Sequence, residues 1–452
     1  MRISELIDAR VGLLGLGVEG RSTLAALRRA GHEQDVAIFL DKPGTEALPA
    51  GARFADDPER AFAATDVLVR SPGFAPEHPL RRLADARGVA QTTATNLFLC
   101  ELRARDLPSV GVTGSKGKST TSTIIFRALE RGGIESSLVG NIGAPALDVL
   151  DDVIARRAVP VVELSSYQCA DLVAAPSIAV LLELFPEHMD WHGSIDAYYR
   201  AKMQLALRQR PEDRFFYLVR NRAYVEGFEL PGKVEAVGTE DGVHHRDRAF
   251  WNGRSRLFAD DCVHIPGDHN KRNVCCAIAA VIAAGASPTS VESALGDFNG
   301  LPYRLQDEGY RGGIRWINDS ISTAPEAAVA ALGAFGASVR TLIFGGFDRG
   351  YELGIVLEAL GESNVECVVA LPTTGHRLAR ELLARHAAPR VVEVASLDEA
   401  VAAASRATPQ GGLCLFSPGA PSYGFFRNFE ERGHAFATLV AALERSELSP
   451  AR

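Results

Sequence analysis

Eight consecutive residues carry the most direct chemical signal in this chain: Thr113-Gly114-Ser115-Lys116-Gly117-Lys118-Ser119-Thr120. They follow an apolar run with strand character, Val110 to Val112, and open a helical pattern running towards Arg131. A glycine-rich turn between strand and helix aims backbone N–H groups, and the positive end of the helix dipole, at an anion. Lys118 is then placed for the terminal phosphates of a nucleotide, and Ser119 or Thr120 offers a hydroxyl to magnesium. The strict pattern G-x-x-x-x-G-K-[ST] is broken at its first position, where Val112 stands. The alternative is a flexible Gly/Ser loop with a solvated lysine. Strand, glycines, lysine and hydroxyls in working order favour binding of ATP or GTP.

A second glycine turn precedes it. Arg10 to Leu14 reads as a strand, Gly15-Leu16-Gly17-Val18-Glu19-Gly20 as an unbroken G-x-G-x-x-G, and Arg21 to Ala30 as a helix stopped by Gly31. A strand from Val36 to Leu40 ends at Asp41, about twenty residues on, where a dinucleotide fold places its ribose contact. Read literally, the turn binds NAD or FAD, but alone it holds any nucleotide diphosphate. Val67 to Val69 leads into Ser71-Pro72-Gly73, and three further polar residues close apolar runs: Asn141, Glu163 and His188. Strand ends in an open α/β sheet face the ligand crevice, so a carboxylate and an imidazole there suit metal and phosphate chemistry.

The elements that must position these groups fall into three blocks. The first closes near Thr92 to Leu97, and the second runs from the phosphate loop to about Pro302. Within the second, Phe215 to His264 reads as short strands and turns, and Asn273 to Ala284 as a helix. The last block alternates apolar runs (Thr341 to Phe344, Val365 to Leu371, Val391 to Val394, Gly412 to Phe416) with helical stretches, the rhythm of a further parallel sheet. Residues from Ser446 onward read as a loose tail. The 452 residues are 46% hydrophobic and 23% charged, which is ordinary globular usage. A net charge of −8 gives no bulk electrostatic case for nucleic acid or an anionic membrane. No run reaches the ~18 apolar residues of a membrane helix, and acids near Met1 break any signal-peptide core. Seven cysteines without a C-x-x-C pair fit reduced thiols, so a cytoplasmic location is expected.

Taken in order, the motifs resemble those of the Mur ligases of peptidoglycan synthesis, over nearly the whole chain and closest to the glutamate-adding members. They are the T-G-x-x-G-K-S-T loop, Gly140-Asn141-Ile142-Gly143, Glu163-Leu164-Ser165-Ser166-Tyr167-Gln168 and Glu187-His188-Met189-Asp190. Further matches are Ala201-Lys202, Gly267-Asp268-His269-Asn270-Lys271-Arg272-Asn273, Leu301-Pro302-Tyr303-Arg304, Asn318-Asp319-Ser320 and Asn428-Phe429-Glu430-Glu431-Arg432-Gly433. The resemblance implies a three-domain α/β fold: Rossmann-like over 1–95, a central P-loop ATPase-like parallel sheet over 96–302, and a Rossmann-like C-terminal domain over 303–452.

It also implies an activity, an ATP-dependent peptide synthesis on UDP-N-acetylmuramoyl-L-alanine with glutamate as the second substrate. The substrate carboxylate attacks the γ-phosphate to give an acyl phosphate, and the incoming amine displaces phosphate. By match, Gly17, Val18, Asp41, Lys42 and Ser71, Pro72 and Gly73 surround the uridine diphosphate, with Asn141, Gln168 and His188 holding the rest. Gly114, Ser115, Lys116, Gly117, Lys118, Ser119 and Thr120 cradle ATP, Asn270 and Asn273 lie on its adenine side, and Arg304 and Asp319 reach it across a domain junction that closes as a hinge. Two magnesium ions are implied, one on Ser119 or Thr120 with Glu163, the other associated with His188 and Lys202. Lys118, His188 and Lys202 are the implied catalytic residues. In this family the counterpart of Lys202 is carbamylated by CO2, which turns a cation into a metal ligand. A monomer that neither binds nucleic acid nor inserts in a membrane is expected.

Departures concentrate at the amino-acid pocket. The usual N-D-S-K-A-T-N is here Asn318-Asp319-Ser320-Ile321-Ser322-Thr323-Ala324, so a lysine has become Ile321. The usual S-P-A-C-A-S-L-D-Q-F is Ser417-Pro418-Gly419-Ala420-Pro421-Ser422-Tyr423-Gly424-Phe425-Phe426. Thr323, Arg349, Ser422 and Phe429 still match positions that hold glutamate. This pattern suits the branch that adds L-glutamate; the D-enantiomer is the alternative. A dinucleotide-dependent oxidoreductase would rest on Gly15 to Gly20 alone, and a nucleotide switch would have no use for Glu163, His188 and Lys202.

Overall fold

The computed structural model describes residues 1–41, 48–265, 267–348, 350–385 and 389–443, so Lys42, Arg349 and the stretch from Ser446 lie outside the described residues. The chain separates into two compact units, Met1–Asn299 and Gly300–Arg452.

The first unit opens with a five-stranded parallel sheet of β1 (Val11–Leu14), β2 (Val36–Phe39), β3 (Ala52–Phe54), β4 (Val67–Arg70) and β5 (Ala90–Thr92). Their order is β3-β2-β1-β4-β5. Side chains alternate across it: Val11, Leu13, Val36, Ile38 and Val69 face one core, while Leu14, Ala37, Phe39 and Leu68 face another. Chain order reverses between β1 and β4, the switch point where such sheets bind ligands. The following helix, Val18–Arg29, starts three residues ahead of the apolar pattern because Val18 in its first turn is exposed.

A six-stranded parallel sheet follows, made of β6 (Val110–Thr113), β7 (Ser136–Gly140), β8 (Val159–Glu163), β9 (Ile178–Leu181), β10 (Arg214–Leu218) and β11 (Lys233–Val237). Its order, β11-β10-β9-β6-β8-β7, puts the strand before the phosphate loop in the middle. Burial on both faces explains why β6 and β9 read as continuous rather than alternating apolar runs. One core runs from the first sheet into this one. The expected short strands appear as an antiparallel sheet of β12 (Val243–Arg246), β13 (Ala249–Asn252) and β14 (Ser255–Ala259). The helix predicted from Asn273 begins at Asp268, since its polar first turn lies outside the apolar period.

The second unit holds β15 (Gln306–Arg311), β16 (Ile314–Asn318), β17 (Val339–Gly346), β18 (Cys367–Thr373), β19 (Arg390–Glu393) and β20 (Leu413–Phe416), in the order β15-β16-β20-β17-β18-β19. The expected parallel sheet holds for five of these strands; β15 is an antiparallel edge. Gly312 and Gly313, with φ of 57° and 77°, make the tight hairpin into β16 that this requires. Ile317, Leu342, Phe344, Val368 and Leu415 pack on one face, and Trp316, Ile343, Val369, Cys414 and Phe416 on the other. Among the described residues no helix is long and apolar enough to cross a membrane.

Candidate functional site

The phosphate loop leaves β6 at Thr113 and enters the helix Lys118–Arg131 through Gly117, whose φ of 85° is a left-handed conformation. A Cβ at Gly114 would stand 2.6 Å from Leu182 Cβ, and one at Gly117 would stand 2.7 Å from the Asn273 amide. Both positions therefore need glycine. Asn273, on the helix Asp268–Ala283, thus packs against the loop, and its Nδ2 donates to Asn270 Oδ1 at 3.3 Å. Lys118 Nζ donates to the carbonyls of Gly114 and Ser115 at 3.0 Å each. Lys202 Nζ donates to the same Gly114 carbonyl at 2.8 Å, from the helix Ile195–Leu207. Lys202 is 2% exposed, and burial, with the nearby Lys118 charge, pushes its ammonium down to about 7. Nothing in the sequence pattern marks this buried position; only the family match selected it.

Glu163 ends β8 and is buried. Its Oε1 accepts from Asn141 Nδ2 at 3.0 Å, and its Oε2 accepts no hydrogen bond from the described residues. Asn141 is held by its own N–H on the Glu163 carbonyl at 3.0 Å, and Gly140 fits there because a Cβ would stand 2.4 Å from that oxygen. His188 was expected at a strand end and is not. β9 stops at Leu181, and His188 caps the short helix Met189–His192 in a left-handed conformation with φ of 57°. Side-chain ties bring its segment back to the phosphate loop: Lys116 Nζ lies 2.6 Å from Glu187 Oε1, and Tyr198 Oη pairs with Ser115 Oγ at 2.9 Å. His188 packs on Tyr167 with ring centroids 5.0 Å apart. Tyr198, absent from the sequence expectations, contacts Lys202 through its ring at 4.8 Å.

At the first sheet, Gly15 and Gly20 are required by close approach, a Cβ falling 2.7 Å from Ser71 Oγ and 2.3 Å from the Gly15 carbonyl respectively. Gly17 caps the helix Val18–Arg29 and faces open space, and Val18 beside it is 72% exposed. The turn, Ser71 and Gly73 therefore share one face, with Gly73 O accepting from Trp191 Nε1 at 3.3 Å. Asp41 Oδ1 lies 2.7 Å from His78 Nε2. Gln168 Nε2 donates to Glu19 Oε1 at 2.8 Å, so the central sheet contributes to the same neighbourhood.

In the second unit, Asp319 follows β16, with Oδ2 accepting from Ser417 Oγ at 2.7 Å and Oδ1 from the Leu305 N–H at 3.2 Å. Arg432, 2% exposed, donates to Ser320 Oγ, Ser320 O and Ala420 O at 3.1, 2.8 and 2.9 Å. These bonds knit the ends of β16 and β20 together. Ser422 and Arg432 line a cleft of about 170 Å³ with Leu371, Phe425 and Phe426. Phe429 opens the helix Phe429–Ala441, and its carbonyl accepts from Ser320 Oγ. Thr323 is half-buried two residues beyond Ile321, and Arg304 lies in the same unit.

A phosphate loop with two converging lysines, at the head of a parallel sheet, defines an enzyme that uses ATP. Residues 112–281 match the Mur ligase middle domain. A UDP-N-acetylmuramoyl-L-alanine--L-glutamate ligase of Xanthomonas campestris pv. campestris (strain 8004) is 36% identical, over 97% of each chain. A protein of the same name from Salinispora tropica is 36% identical, over 97% of this chain and 99% of its own. The fold resembles that of MurF ligase from Thermotoga maritima, crystallised with ADP, with a TM-score of 0.55, 14% identity, and 97% and 96% of the two chains covered. The chain belongs to the Mur ligase family, the ATP-dependent ligases that form amide bonds in peptidoglycan synthesis.

Burial pushes the Asp319 carboxyl up to about 6, against the Ser417 and Leu305 hydrogen bonds that pull it down. An unfolded aspartate titrates near ~3.9, so the folded state binds this proton more tightly. Stability from this group is complete below pH ~4 and is lost as pH rises towards ~6. Asp319→Asn is expected to remove that loss, read as the difference between wild-type and variant unfolding free energies across this window. A difference that does not change between pH 4 and 6 would contradict the assignment.

Proposed function

We propose that this chain joins L-glutamate to UDP-N-acetylmuramoyl-L-alanine, converting ATP to ADP and phosphate. The observation that carries the ligation chemistry is the pair of lysines, Lys118 and Lys202, donating to one loop carbonyl. A carboxylate and a polyphosphate repel each other, and the Lys118 charge, with a metal ion that a Lys202 carbamate would hold, lowers the barrier to their meeting. The names borne by relatives 36% identical over 97% of this chain support the substrates. In this reading residues 1–95 bind UDP through Gly17, Val18, Asp41, Lys42 and Ser71 to Gly73, residues 96–302 bind ATP, and residues 303–452 bind the amino acid. The substrate carboxylate attacks the γ-phosphorus with departure of ADP, and the glutamate amine then attacks the acyl carbon with departure of phosphate.

Magnesium suits the residues present. Glu163 offers a buried oxygen without a hydrogen-bond donor, and the Ser119 and Thr120 hydroxyls stand on the first turn after the loop. Among the described residues no three His, Cys, Asp or Glu side chains converge, so phosphate oxygens and water would complete the coordination. Bound there, the ions would neutralise charge on the transferring phosphoryl group. Lys202 answers the same demand differently. Burial makes its neutral amine available, and that amine adds to CO2 with loss of a proton to give a carbamate, an anion suited to a second ion beside His188.

The L-enantiomer follows from Ile321. An aliphatic side chain cannot donate to a carboxylate, and burying one against it unpaired is costly. The side-chain carboxylate turns away from it, towards Arg349, Ser422 and Thr323, and exchanging two groups about the chiral carbon meets that demand.

Three measurements test this reading. Lys118→Ala should lose roughly a hundredfold or more in kcat while the fold and UDP-substrate binding persist; near-normal ADP release would sink the loop assignment. Lys202→Ala should be almost inactive and partly rescued by a small added carboxylic acid. An ordered, unmodified Lys202 ammonium in a magnesium-loaded crystal structure would contradict the carbamate. Finally, phosphate release with UDP-N-acetylmuramoyl-L-alanine, Mg-ATP and each pure glutamate enantiomer should favour the L-form, and a clear D-preference would reverse that assignment.

A further inference from the structure

The helix Ser166–Ala170 is five residues long and lies just beyond Glu163. So short a helix has no stability of its own, and its position is set by what grips it. Both of its ends are held by side chains from the first sheet and its connections. At the near end, Gln168 Oε1 accepts from the Ser165 N–H at 2.9 Å and the Ser165 hydroxyl at 3.1 Å, while Nε2 donates to Glu19 at 2.8 Å. At the far end stands Asp171. Its carboxylate is ion-paired with Arg70, the last residue of β4, and receives Arg81 at 3.3 Å. Asn96 Nδ2 donates to its backbone carbonyl at 2.7 Å.

Glu19 and Arg70 also bracket the UDP-binding face, since one lies inside the glycine turn and the other directly precedes Ser71. Arg70 is 2% exposed, and burial lowers it to about 9, still protonated at neutral pH. Burial raises the Glu19 carboxyl, and the Gln168 hydrogen bond and then the Arg70 charge oppose that rise. Buried charges of this kind contribute little net stability compared with apolar packing. What the Glu19 carboxylate supplies is direction, because an acceptor of this kind at 2.8 Å fixes where the Gln168 amide points.

We infer that Glu19 is a positioning residue which fixes the Gln168 amide and so sets the UDP-substrate turn against the strand end bearing Glu163. This rests on the assignment of Gln168 to the UDP-substrate made above.

The test is steady-state kinetics of the full-length enzyme, with KM for the UDP-substrate and for ATP measured separately, for Gln168→Ala, Glu19→Ala, Glu19→Gln and the Glu19→Ala/Gln168→Ala double variant. Glu19→Ala should raise KM for the UDP-substrate about tenfold and leave KM for ATP within about twofold, the loss expected for one charge-assisted hydrogen bond. Glu19→Gln, whose amide oxygen still accepts from Gln168, should recover most of that loss. The double variant should be no worse than Gln168→Ala alone, because both changes break one interaction. A Glu19→Ala enzyme with normal UDP-substrate KM beside a damaged Gln168→Ala enzyme would overturn the positioning role only. A normal Gln168→Ala enzyme would remove the substrate assignment and this inference with it. Equal rises in both KM values with no rescue by Glu19→Gln would reduce the contact to general packing.

Discussion

Two ammonium groups donate to one backbone carbonyl, that of Gly114, and much of the first unit is arranged around that unfavourable meeting. Lys118 reaches it because Gly117 caps its helix in a conformation that costs other residues strain. Lys202 reaches it from a different helix, which Ser194 caps and Tyr198 ties to the loop through Ser115. Burial and the nearby Lys118 charge hold the Lys202 ammonium down at about 7. An anion near the loop, or loss of charge from one lysine, would ease that repulsion.

The same constraint explains the neighbours. With cations crowded at the end of β6, a carboxylate can stand nearby without pairing directly with the lysines. Glu163 satisfies this at the end of the adjacent strand β8, its orientation set by Asn141 rather than by either lysine. Glu187 instead pairs with Lys116, the one loop lysine that is well exposed, and in doing so anchors the segment carrying His188.

Legibility from sequence follows the range of the forces involved. The phosphate loop and the G-x-G-x-x-G turn are readable because strand, glycine and helix start are local, although the side chains that crowd Gly15, Gly114 and Gly117 (Ser71, Leu182 and Asn273) lie far off in sequence. Glu163 and Asn141 were readable as polar residues closing apolar runs. His188 looked equivalent, yet its place depends on Lys116, Tyr198 and aromatic contacts distant in sequence. Lys202 was recognisable only by family resemblance, since an isolated lysine on a helix is ordinarily solvated. Glu19 and Arg70 were passed over for the same reason, as their partners lie some hundred residues or more away. Helix starts were misjudged where the first turn is polar, at Val18 and Asp268, because periodicity registers only the buried face.

In the second unit the framework itself consumes polar groups at the strand ends. Among the described residues Arg432 is a buried cation there, and it directs its donors at Ser320 and Ala420, tying the ends of β16 and β20 together. Turning it towards a ligand would release those loops. Asp319 is likewise committed, to Ser417 and Leu305. Ser422 lies in a cleft whose other walls include Leu371, Phe425 and Phe426. Apolar walls favour the methylene stem of an amino acid and disfavour an unpaired carboxylate, which narrows the poses in which both acids are met.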